Sequence, residues 1–260
     1  MNKLTEQEKS AAIAKWNLIR EDYSVLKGLI SFNTSFSFSK DACDLIDNEA
    51  NLFVQMFMGI LDEGTNQLVF ILPIKESEIE LGSLEKYFYV TGEPLASDLV
   101  FKEERKTITI NKITLNTNLE VIKNMETKDL PFENVPSISS EKAILEIQAW
   151  RNSYLDWMFM NSADSKMFNS FFVPTKDLTL QETSQMELKC VFAMRESILL
   201  NTAVPTLVFV TVVDEALEPE DTGGQNALNV VLNNTGNFAS PCPPFCRMDP
   251  TPSSIIMAMN

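Results

Sequence analysis

The chain has 260 residues, 45% of them hydrophobic, and 21 Lys+Arg against 36 Asp+Glu for a formal net charge of −15. That is enough apolar material for one large core or two ordinary ones, while the negative charge repels phosphate backbones and anionic lipid, so neither nucleic acid nor membrane is an expected partner. Histidine is absent, which excludes Ser-His-Asp and Cys-His catalysis, and a chain with only 8 glycines, none in G-x-x-x-x-G-K-[ST] or G-x-G-x-x-G, has no phosphate loop.

The opening MNKLTEQEKS is polar, without the apolar core of a secretion signal, and no run of 18 apolar residues follows. The expected compartment is the cytoplasm. Thr5 and Glu8 have capping-box spacing, and Ile13, Trp16, Ile19, Tyr23, Leu26 and Ile30 recur at three- and four-residue steps, which predicts a helix over 6–30. SFNTSFSFS (31–39) alternates phenylalanine with small polar residues as a strand does, and 40–51 reads as a loop. Residues 52–61 and 68–74 are predicted strands joined by the turn-rich DEGTNQ, with Pro73 placing the second at an edge or at its own end. Further strands are expected at 87–90 and at 106–115, where T-I-T-I alternates. Residues 123–138, with two prolines and little apolar periodicity, read as a link.

The pattern then restarts. Ser139 caps a predicted helix with the stripe Ile144, Ile147, Trp150, Tyr154 and Trp157, followed by strands at 170–177, 186–194, 207–213 and 228–232. LVFILPIKE (68–76) returns as LVFVTVVDE (207–215), identical at four of nine positions. Other matches fall in the same order. Ile13 and Trp16 match Ile147 and Trp150, Leu52, Val54, Met56 and Met58 match Leu188, Cys190, Phe192 and Met194, and TGEPLAS at Thr91 matches TGNFAS at Thr235. The expected fold is therefore α+β, two tandem similar modules (1–122 and 139–260, joined by the linker 123–138), each a long amphipathic helix packed on an antiparallel sheet. Where the first copy has Phe53 and Phe57 the second has Lys189 and Ala193, so the first hairpin is expected to be covered on both faces.

Few residues suggest chemistry. Ser139 and Lys142 satisfy S-x-x-K, a nucleophile with its activating amine, but a serine at a helix start is also an N-cap. Cys242 and Cys246 lie four apart across two prolines, and a zinc site would need Cys43, Cys190 or carboxylates to complete it. Glu78 with Glu80, and Asp214 with Glu215 and Glu218, are carboxylate groups without metal-loop spacing. The apolar tail 253–260 completes the second sheet or docks by strand addition. No catalytic, cofactor-binding or metal-ligating residue is assigned and no cofactor is expected. The function expected is a non-catalytic protein-binding or assembly protein acting through its sheets and the groove between modules, with self-association or a protein partner. The alternative is a hydrolase using carboxylates or the Ser-Lys pair.

Overall fold

The computed structural model describes residues 2–46, 52–62, 64–101, 107–115, 121–129, 138–163, 166–180, 186–197, 202–214, 229–236 and 240–242. In chain order the elements are β1 (Lys3–Thr5), α1 (Glu6–Ile19), α2 (Tyr23–Leu29), β2 (Thr34–Phe38), α3 (Lys40–Asp44), β3 (Phe53–Asp62), β4 (Asn66–Pro73), β5 (Glu85–Pro94), β6 (Leu99–Phe101), β7 (Thr107–Leu115) and β8 (Val121–Asp129). There follow α4 (Ser140–Ser162), β9 (Ser170–Pro174), β10 (Met186–Ser197), β11 (Thr202–Asp214), β12 (Asn229–Gly236) and β13 (Ser240–Cys242). The fold is mixed α/β, one large and almost wholly antiparallel sheet with few helices, the short parallel pair β6–β12 being the exception.

Local chemistry explains where the elements begin. Thr5 caps α1 in a capping box, the Glu8 N–H donating to Thr5 Oγ1 at 3.3 Å and the Thr5 N–H to Glu8 Oε2 at 2.8 Å. The helix expected over 6–30 is two helices, because Asp22 takes the Ser24 N–H at 2.8 Å and starts α2 afresh. The loop expected over 40–51 contains α3, capped by Ser39 and closed by an ion pair from Lys40 to Asp44 at 2.8 Å. Pro73 is the last residue of β4, where its missing N–H leaves the ladder intact.

Strand order fixes the architecture. It runs β9-β3-β4-β5-β2-β10-β11-β12, and β13, which starts four positions after the end of β12, pairs with β9. The order thus begins at β13 and ends at β6, which lies parallel beside β12. Three strand pairings join the halves of the sequence: β2 with β10 (Phe38↔Leu188 to Ser35↔Val191), β9 with β3 (Pro174↔Phe53 to Ser170↔Phe57) and, in parallel, β6 with β12 (Leu99↔Asn229 to Phe101↔Val231). At Gly92 strand β5 passes from β4 to β2, lying so near Phe36 that a Cβ there would meet its ring at 3.0 Å.

The alternation of the strands sorts their side chains into one shared core and two outer clusters. Leu68, Phe70 and Leu72 of β4 and Leu207 and Phe209 of β11 meet in the shared core, together with Trp16 and Trp150. The alternate residues, Val69 and Ile71, pack under Ala12 and Ile13 of α1, and Val208, Val210 and Val212 under Ala143 and Ile147 of α4. Both hairpins are covered on both faces, the second as fully as the first, because Val191 and Ala193 also lie in the cluster beneath α4. Neither long helix divides cleanly into an apolar and a polar side. Each leads from an outer cluster into the shared core, and both leave large apolar groups in solvent, Leu18 on α1 among them.

Two expectations about the segment between the halves are corrected. T-I-T-I does not join the main sheet: β7 pairs with β8 in a separate two-stranded hairpin. Residues 123–129, read as the start of a link, form most of β8. The reason is composition, since Lys123, Asn124, Glu126 and Lys128 make β8 too polar to be recognised as a strand.

Candidate functional site

Helix α4 is 23 residues long with no glycine or proline, about 35 Å of uninterrupted backbone. Ser139 Oγ accepts the backbone N–H of Lys142 at 3.2 Å, so the S-x-x-K pattern acts here as a helix cap. Inward it buries Ala143, Trp150 and Met158 completely. The Trp150 ring stacks on Phe192 at 5.2 Å, and Trp157 stacks on Phe168 at 5.8 Å.

Outward, the same helix holds Leu145, Leu155, Phe159 and Met160 at 60, 38, 63 and 63% exposure. At 100° per residue these four fall within an arc of roughly 140° opposite the core side. The aromatic surface continues past the helix. Phe159 meets Tyr23 at the start of α2 edge-on at 5.3 Å. The Arg151 guanidinium lies 5.6 Å from the centre of the Phe32 ring, itself 47% exposed. Four large apolar groups on one helix, joined by aromatics from two neighbouring segments, are more than the scattered surface residues of an ordinary helix.

Two opposite charges, the buried Glu146 and the half-buried Arg195, act on each other on another flank of α4. Glu146 is 8% exposed and its carboxyl is pushed up by burial, a shift that Lys142 and Arg195 oppose. Burial likewise lowers the guanidinium of Arg195 on β10, against the pull of Glu146. The sequence match that aligns Trp16 with Trp150 sets Ala12 against Glu146, and the one that aligns Met58 with Met194 sets Gly59 against Arg195. In the first half Ala12 and Gly59 do touch: a Cβ on Gly59 would lie 3.2 Å from that of Ala12. A close small-residue contact in one half thus stands where the other has two opposite charges that act on each other.

The remaining sequence candidates do not assemble into a site. Cys43 and Cys190 are buried free thiols. Burial pushes Cys43 up to about 12 and Cys190 well above its ordinary value, which leaves both inert as nucleophiles. Cys242 ends β13, whereas Cys246, Glu215, Glu218 and the tail 253–260 lie outside the described residues. Glu78 forms a 3.8 Å ion pair with Lys75. An open depression of about 500 Å³ draws its lining from the first half alone, including Glu8, Asp62 and Glu85. Two of its carboxylates are engaged, Glu8 by Thr5 and Asp62 by Lys15 at 2.9 Å. No group of three His, Cys, Asp or Glu residues suited to a metal ion occurs among the described residues. None of the described helices is long and apolar enough to cross a membrane. The outer face of α4 escaped sequence reasoning because its leucines and phenylalanine look like a second core stripe.

Comparison with known protein families, with characterised proteins and with solved structures returns no match.

Proposed function

We propose that this chain is a non-catalytic protein-binding or assembly protein of the cytoplasm, and that the outer face of α4 is where a partner docks. The observation that carries the reading is the solvent position of Leu145, Leu155, Phe159 and Met160 on a helix whose inner side is already packed. Buried apolar area drives association, and exposed aromatic and methionine side chains are the usual anchors. The chemistry of a site points the same way: the serine of the Ser-Lys pattern caps a helix and two of the three carboxylates in the first-half depression are engaged. The two buried cysteines, present as thiols, fit a reducing compartment.

The reading includes an internal duplication, two copies of one helix-and-sheet unit that exchange a strand. What supports it is correspondence of position. α1 lies over β3 and β4 as α4 lies over β10 and β11, and β9 completes β3-β4-β5 as β2 completes β10-β11-β12. Such an arrangement is what two subunits of a symmetric dimer adopt when they swap an element.

The test is quantitative capture from the native host with the intact chain and with Leu155→Glu/Phe159→Glu. Both positions are solvent-facing and only Phe159 gives up an aromatic contact, with Tyr23, so the fold is expected to survive at a cost of about 0.5–1.5 kcal/mol per site. A defined set of proteins retained by the native chain and lost by the variant supports the reading. Identical capture by both overturns it, as does an empty capture accompanied by turnover in a hydrolase panel.

A further inference from the structure

The hairpin β7–β8 stands apart from the main sheet. Its strands pair with each other from Thr107↔Asp129 to Leu115↔Val121 and with no other strand among the described residues. Among the described residues each therefore has one edge of N–H and C=O groups without a ladder. An isolated two-stranded hairpin is only marginally stable in water.

The two edges differ in composition. β8, VIKNMETKD, has four charged residues in nine (Lys123, Glu126, Lys128 and Asp129), and charge is how an edge is guarded. β7, TITINKITL, has one, Lys112, beside six β-branched residues, the composition that accepts another strand. Charge then selects the occupant. Residues 107–129 contain three lysines against Glu120, Glu126 and Asp129 and sum to zero, within a chain of −15. The bodies of two copies repel, but their hairpins do not. A strand of the same length and the same low charge is supplied by β7 of a second copy.

We propose that β7 pairs antiparallel with β7 of a second copy about a twofold axis at Asn111, extending the hairpin to the four-stranded order β8-β7-β7-β8. This rests on the assembly reading above and names one partner for it. Full overlap of the nine residues sets Asn111 opposite Asn111, and Lys112 opposite Ile110 of the second copy, so the two lysines stay apart. The interface is isologous and closes at two copies.

Ile110→Lys is the decisive change. Within the hairpin position 110 pairs with Glu126, so a lysine there gains an opposite charge and the hairpin is not weakened. Across the proposed axis it faces Lys112 twice, and like charges directly opposite are unfavourable. Sedimentation equilibrium of the full chain is expected to give a dimer, a dissociation constant at least tenfold weaker for Ile110→Lys, and recovery in Ile110→Lys/Lys112→Glu, where opposite charges meet. Ile110→Lys should still capture partners through α4, and Phe159→Glu should still dimerise, so the two proposals fail separately. A monomeric native chain, an undiminished Ile110→Lys dimer, a double variant without recovery, or a dimer lost with Phe159→Glu instead would overturn the pairing.

Discussion

Replacing Phe192 by alanine tests whether the two halves of the sequence share one core. Its ring, 1% exposed, has Phe36 at 5.8 Å and Phe70 at 6.2 Å from the first half, and Trp150, Phe168 and Phe171 at 5.2, 5.8 and 6.3 Å from the second. Removing a fully packed phenylalanine costs about 3–5 kcal/mol, lost transfer energy plus the cavity left behind. At about 4 kcal/mol the unfolded population rises roughly a thousandfold, a large part of the 5–15 kcal/mol typical of a folded protein. Hydrogen exchange read by mass spectrometry at peptide resolution follows each half separately. Because the ring belongs to both, amides of β4 and of β11 should lose protection together and by the same free energy. Native protection in β4 beside a weakened β11, or a loss below about 1 kcal/mol in both, would refute the shared core.

The two buried tryptophans are expected to respond differently to substitution by phenylalanine. Trp16 Nε1 donates to the Phe168 carbonyl at 3.0 Å, whereas Trp150 Nε1 has no partner among the described residues. Trp16→Phe should therefore cost about 1–3 kcal/mol more in urea unfolding than Trp150→Phe, and equal costs would contradict the assignment. Glu146 gives a pH test whose sign follows from its raised pKa. A proton binds more readily in the folded state, so its contribution to stability is fully present below the ordinary value of 4.5 and is lost as pH rises through the raised one. The unfolding free energy of the native chain minus that of Glu146→Gln should fall from about pH 4.5 towards neutrality, and a difference flat with pH would refute it. Cys43 and Cys190 should resist alkylation at pH 8 in the folded chain and react in urea, as mapped by mass spectrometry; rapid native labelling of either would contradict its burial.

Local signals were readable from residue chemistry, and spatial ones were not. The Thr5–Glu8 box, the alternation of Phe36 and Phe38, and the end of β4 at Pro73 each depend on neighbours within a few residues. The break between α1 and α2 was hidden because the apolar period runs on through Tyr23 and Leu26, although Asp22 two residues before Ser24 is a capping signal. Alternation tells which side of β2 is buried but not that β10 is its neighbour, since any strand of like polarity fits the ladder. β8 carried too many charges to look like a strand. On α4 the apolar residues run round the helix, so periodicity could not tell Trp150, which is buried, from Phe159, which is exposed.

The claim that α4 presents a docking face is tested most directly by a photoreactive amino acid placed at Phe159 in the native host, with Ser10 on α1 as the exposed control. The account predicts a discrete covalent adduct with a protein partner from position 159 and none from position 10. The absence of any adduct from position 159, or the same adducts from both positions, would contradict it.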